Sequence, residues 1–225
     1  MFSLRDTLAN RLANHRLPKG YRIGMGIMVL CGRRPVGITT LRNSPCPESV
    51  IVHFKSLLPI DNNINQFIKT QLIAMQRLFA EGKIAVLPGT TEDLSNNPNL
   101  QILQNLNVGQ CISGTTTQDQ NTLFSNRNDV GDNELVVYIV ATMISNVTSA
   151  IGCAAHPAGR PGAVVVQTNR RWVVAHEVGH VLGLRVHSGK SDDLMFVNAG
   201  WTNVPPDLSD NEYSTMLKSS LTRPC

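Results

Sequence analysis

Residues 176–195 read HEVGHVLGLRVHSGKSDDLM, and this stretch decides how the rest of the chain is read. It opens with an H-E-x-x-H pattern. On a helix, His176 and His180 are four residues apart, just over one turn, so both imidazoles project from one face. Two neutral imidazoles in that relation can hold a single zinc ion. Glu177 sits roughly 100° further round and can reach a water on that metal. Val174, Val178, Val181 and Leu182 make the apolar stripe that packs such a helix on a sheet. Zinc hydrolytic chemistry needs these residue types: neutral imidazole ligands, an open coordination position for water, and a carboxylate to take its proton. Thr168 or Asn169 offers an N-cap for a helix from about Arg170 to Leu182, and Gly183 is placed to end it.

Working outward, the pattern is that of an α/β protein with a mixed sheet. Upstream, GAVVVQ (162–167) follows Pro161 and reads as a strand, as do the β-prone run 135–140 and a short extended piece around 151–155. Phe67, Ile68, Leu72, Met75, Leu78 and Phe79 keep a 3.6-residue period and predict an amphipathic helix over 65–81, ended by Gly82. Strands are expected at 84–87 and, after the Pro45-Cys46-Pro47 turn, at 50–58. Residues 88–133 are rich in Asn, Thr, Gly and Asp, predict largely irregular chain, and are long enough to expect function in them. Downstream, 208–221 reads as a closing helix, and no internal repeat is visible.

Composition narrows the class. The chain has 225 residues, 42% of them hydrophobic, enough for one sizeable core with an appendage. No apolar run approaches the roughly 18 residues of a membrane span. The net charge of +4 is uneven: residues 1–45 carry eight Lys/Arg against Asp6 alone, the remainder twelve against fifteen acids. The basic part lacks the clustering and interleaved aromatics of a nucleic-acid surface, so no nucleic-acid partner is expected. Leu4, Leu8 and Leu12 with Arg5, Arg11 and Arg16 predict an amphipathic first helix, ended at Pro18 and Gly20; a docking helix is the preferred reading and a transit peptide the alternative. Five cysteines, at 31, 46, 111, 153 and 225, show no CxxC spacing. They fit two disulfides and a free thiol, or five thiols.

The 176–195 stretch resembles the metzincin clan of zinc metallopeptidases, whose motif is H-E-x-x-H-x-x-G-x-x-H followed by a methionine-containing turn. The order of strands and helices over 46–225 is consistent with it. The resemblance implies a metzincin-like catalytic domain: a mixed, mostly parallel twisted sheet with a backing helix, a zinc-site helix and a C-terminal helix. It implies a zinc-dependent endopeptidase that acts on protein or peptide substrates through a Glu-activated, zinc-bound water. His176 and His180 become the first two ligands, Glu177 the general base, Gly183 the break that lets the chain swing back, and Met195 the apolar floor beneath one catalytic Zn2+. Residues 198–206 would wall the specificity pocket, and the substrate would lie antiparallel to an edge strand near 150–155. A structural Ca2+ ion is not indicated. A monomer is expected.

The sequence departs from the clan's pattern in two places. The third histidine falls at His187, one residue beyond the clan's position, which here is Val186; an irregular segment after Gly183 can absorb the extra residue. Asp192 and Asp193 are the competing third ligands. Phe196 and Val197 follow the methionine where some relatives carry a tyrosine, leaving Tyr213 as a distant candidate for that role. Asn211-Glu212 resembles the pair that supplies the gluzincins' third ligand, which makes a gluzincin-type peptidase using Glu212 one alternative. A catalytically weak or inactive peptide-binding metzincin-like protein is the other. The basic segment 1–45 is a candidate pro-segment, with Cys31 or Cys46 as a blocking ligand. No secretory signal is legible, so the chain reads as cytoplasmic as encoded; the resemblance suggests secretion as the alternative, and the Asn146-Val147-Thr148 sequon does not decide.

Overall fold

The structure, a computed structural model, describes residues 48–145, 150–198, 200–202 and 204–224. The basic extension 1–45, where a Leu4-Leu8-Leu12 helix is expected, Cys31, Cys46, Cys225 and Asn146 lie outside the described residues. No helix among the described residues is long and apolar enough to cross a membrane.

The chain runs β1 (Glu48–Ser56), α1 (Asn62–Glu81), β2 (Ile84–Asp93), a 3-10 turn (Gln101–Gln104), β3 (Asn105–Gly109), α2 (Gln118–Leu123), β4 (Leu135–Val140), β5 (Thr142–Ser145), β6 (Gly152–Cys153), β7 (Gly162–Val166), α3 (Val173–Val181), α4 (Asp210–Leu217) and β8 (Arg223–Pro224). The main sheet has the order β2-β1-β4-β7-β6, with β8 also paired to β1. β2, β1, β4 and β7 are mutually parallel, while β6 and β8 run antiparallel to their neighbours. This is the expected mixed, mostly parallel sheet.

β4 explains why LVVYIV is apolar at every position. Leu135, Val137 and Ile139 face a first core shared with α1 and α3, which includes Phe67, Met75, Val174 and Val178. Val136, Tyr138 and Val140 face a second core on the opposite side, with Leu106, Val108, Leu123 and Phe124. A strand buried on both faces has no polar face to alternate with. The helix face Phe67, Ile68, Leu72, Met75, Leu78 and Phe79 is buried as its period predicts.

The second core corrects the reading of 88–133 as largely irregular. β2 continues to Asp93, and β3, α2 and the 3-10 turn all fall in this stretch. β3 pairs with β5 in a separate two-stranded parallel sheet. Leu94, Leu100, Leu103, Leu106, Val108 and Leu123 anchor the stretch, but their irregular spacing yields no period. A disulfide joins Cys111, after β3, to Cys153 on β6, a pairing that the cysteine count left open.

Element ends also move. α1 begins at Asn62 because Asp61 caps it, accepting from the amides of Asn63 and Ile64 (2.8 and 2.9 Å). α4 is shorter than 208–221: Ser209 and Glu212 close a capping box at its start, and the chain turns at 218–222 to reach β8. α3 starts at Val173, not near Arg170, and neither Thr168 nor Asn169 caps it; its first flanking residue is Trp172. The buried Gln71 of α1 takes that place. Its Oε1 accepts from the Val174 amide (3.1 Å) and its Nε2 donates to the Arg170 carbonyl (2.8 Å).

Candidate metal centre and active site

α3 carries His176, Glu177 and His180, and its end positions a fourth residue. The Gly183 amide donates to the His180 carbonyl and the Leu184 amide to the Gly179 carbonyl, both 3.0 Å, with Gly183 at φ 111°. This is a Schellman ending, which a glycine accommodates and a side chain resists. The chain then leaves the helix axis and brings His187 back over it.

Three imidazoles converge there. Nε2 of His180 lies 3.2 Å from Nε2 of His176 and 3.0 Å from Nε2 of His187. Among the described residues these three form a group whose ligand atoms all lie within 4.8 Å of one another. Nδ1 of His176 donates to the Leu194 carbonyl (2.8 Å), and Nδ1 of His180 donates to the Leu184 carbonyl. Carbonyls accept only, so the proton of each ring sits on Nδ1 and the Nε2 lone pair points inward. Lone pairs packed this closely repel one another unless a cation lies between them. Zinc at about 2.0–2.1 Å from each nitrogen of a tetrahedral set separates them by about 3.3 Å, so the donor set fits the ion.

Burial tunes these groups in the same sense. It lowers His176 and His180 to about 4, against the opposing pull of their carbonyl partners, and it lowers His187 as well. Burial thus favours the neutral imidazole in all three, the form a metal ligand needs. Burial raises the carboxyl group of Glu177 to about 8.

The surroundings hold the triad from three sides. Met195 is fully buried beneath α3, its sulfur 3.2 Å from where a β-carbon on Gly179 would stand. Leu194 O accepts from both His176 and Trp201 Nε1 (2.8 Å), and the Trp201 ring is 6.0 Å from that of His176. On the sheet side, Gly152 of β6 abuts Glu177 so closely that a β-carbon there would collide with the carboxyl group.

His176, Glu177, His180, His187, Gly183 and Met195 are thus brought together. The competing third ligands are not. Asp193 accepts from the Ser188 hydroxyl. Neither it nor Asp192 joins the group. Glu212 is occupied at the start of α4 by Ser209 N–H and O–H (2.8 and 2.7 Å) and does not join the histidine group. Tyr213 is buried and donates to the Leu78 carbonyl (3.0 Å), so it serves packing. Val186, the clan's usual ligand position, is 81% exposed. Sequence reading missed Gly152, Trp201 and the carbonyls of Leu194 and Leu184. The expected edge strand near 150–155 pointed toward the first, and the expected pocket wall at 198–206 contains the second.

Fold and donor set together define the metzincin class of zinc metallopeptidases. Within it, the matrixin family matches residues 96–215, which is 120 of 225 residues, and the chain belongs to that family. Metalloproteinase-II from Bacteroides fragilis shares the fold at TM-score 0.52 and 19% identity, covering 78% of this chain. This chain spans only 54% of that protein's length. The archaemetzincin from Methanopyrus kandleri aligns at TM-score 0.49 and 11% identity, over 76% of this chain and 94% of its own. No curated protein matches.

Proposed function

We propose that the chain is a zinc-dependent endopeptidase in which His176, His180 and His187 hold the metal and Glu177 is the general base. The observation that carries this is the convergence of three inward-pointing Nε2 atoms beside a buried carboxyl group. Bound zinc supplies Lewis acidity toward a carbonyl and a water. Glu177 takes a proton from the attacking water and hands it to the leaving amine. Gly152 keeps the edge strand close to Glu177, so a peptide adding to β6 by main-chain hydrogen bonds brings its scissile bond to the carboxylate. Trp201 and its described neighbours within 198–206 would wall the pocket for the substrate side chain. Because the Cys111–Cys153 disulfide favours an oxidising compartment, we infer that the protein works outside the cytosol.

The test measures zinc per chain by native mass spectrometry and chelator-sensitive cleavage of a fluorogenic peptide library. Wild type should hold one zinc and cleave. Glu177→Gln should hold zinc and lose turnover by about 10³-fold, the usual worth of a positioned base. His187→Ala should lose zinc, while Asp192→Asn and Asp193→Asn should not. Zinc binding without cleavage in wild type would favour the inactive peptide-binding reading.

A further inference from the structure

β6 pairs with the sheet at two positions, Gly152 with Val165 and Cys153 with Val164, and through one further bond from Val166 N–H to the Ile151 carbonyl (2.9 Å). A strand this short does little to hold its own register. Successive residues of a strand point to opposite faces. Gly152 accordingly faces α3 and Glu177, while Cys153 points into the second core. Three contacts from that core reach β6 and the residues just after it. The buried Cys153 is bonded to Cys111 in the loop after β3. Gln120 of α2 donates through Nε2 to the Ala155 carbonyl (2.9 Å) and to Cys153 Sγ (3.6 Å), and is itself fixed by the Thr117 capping box.

We propose that the Cys111–Cys153 disulfide is a positioning element of the active site: it clamps β6 from the far side of the sheet, fixing the main-chain edge offered to a peptide and the approach of Gly152 to Glu177. This rests on the peptidase reading. The clamp acts on peptide binding and leaves the metal alone, because all three histidines lie on α3 and the segment after it. Its signature is therefore a change in KM at constant zinc.

The experiment compares the full zinc-loaded chain with Cys111→Ala/Cys153→Ala. It measures zinc content, KM and kcat on a fluorogenic peptide, and amide hydrogen exchange over 150–156. The variant should keep its zinc, raise KM about tenfold, the worth of roughly one main-chain hydrogen bond, and change kcat by less than about threefold. Exchange at 152–155 should quicken. Reduction of the folded wild type by a trialkylphosphine gives the dithiol without changing side-chain volume; it should reproduce the KM change, and reoxidation should reverse it. Unchanged KM with the bond verified absent would overturn the proposal. So would zinc loss in step with activity, which marks a purely structural bond. If no form cleaves any peptide, the peptidase reading fails separately, and the exchange rates still decide whether the disulfide holds β6.

Discussion

Gly152 shows how a missing side chain can set an active site. Its φ lies outside the left-handed region, so what it supplies is space, and the Glu177 carboxyl group fills that space. Gly152→Val should retain zinc yet cut kcat/KM at least tenfold, and overpacking should cost about 1–3 kcal/mol of stability. Steady-state kinetics and a denaturant melt check both. Glu177 itself makes a pH prediction for the zinc-free protein. Its carboxyl is raised to about 8 when folded and ionises near 4.5 when unfolded, so its contribution is intact below 4.5 and is lost as pH rises toward 8. His176 and His180, lowered to about 4, act oppositely, costing stability as pH falls below 6.5. Between pH 6.5 and 8 the unfolded-state histidines still lose protons and partly offset Glu177, so its share is read against a variant that lacks only the carboxyl group. Zinc-free wild type should therefore lose about 1–2 kcal/mol relative to zinc-free Glu177→Gln between pH 6.5 and 8, read as the difference between their denaturant melts. The same pH dependence in both proteins would mean that Glu177 ionises normally. At this scale the H-E-x-x-H pattern was legible because four-residue spacing on a helix is a local fact. The Leu194 and Leu184 carbonyls were not, since a main-chain acceptor carries no residue signature.

Elements were legible where burial is one-sided and periodic, as on α1, or continuous, as on β4. Their ends were legible only where the cap is a sequence neighbour. Asp61 sits beside the helix it caps, whereas the start of α3 is satisfied by Gln71, 103 residues away from Val174. Gln71 is 1% exposed and bonds on both sides of its amide, so its replacement leaves the buried Val174 N–H unmet and removes the bond to the Arg170 carbonyl. Gln71→Leu should destabilise the protein by about 1–3 kcal/mol, read from a thermal melt, with zinc stoichiometry unchanged because the ligands lie further along. Loss of zinc at retained stability would show that the cap positions His176 directly. The one-residue shift to His187 has a related cause. Beyond the Schellman ending the chain follows no helical period, so spacing on a helix could not decide between Val186 and His187. In the fold, His187 lies with the other two imidazoles and Val186 is 81% exposed.

At the scale of the molecule, two cores lie on opposite faces of one sheet, and only the first touches the metal site. The second is built from a stretch poor in regular structure, and the disulfide closes a loop across it with a separation of 42 residues. Closing a loop of that length removes unfolded-chain entropy worth about 4 kcal/mol in the loop-closure picture. Its loss should not fall evenly. Among the described residues, Trp172 and Trp201 both pack with the first core, so tryptophan fluorescence reports that core alone. With the bond intact, fluorescence and far-ultraviolet circular dichroism should trace one denaturant transition. In Cys111→Ala/Cys153→Ala the dichroism should fall first, as β3, β5 and α2 come loose, with fast amide exchange at Leu106 and Leu123 while fluorescence and bound zinc persist. Coincident transitions in the variant would instead make the two cores a single cooperative unit, with the sheet, not the disulfide, as the coupling between them.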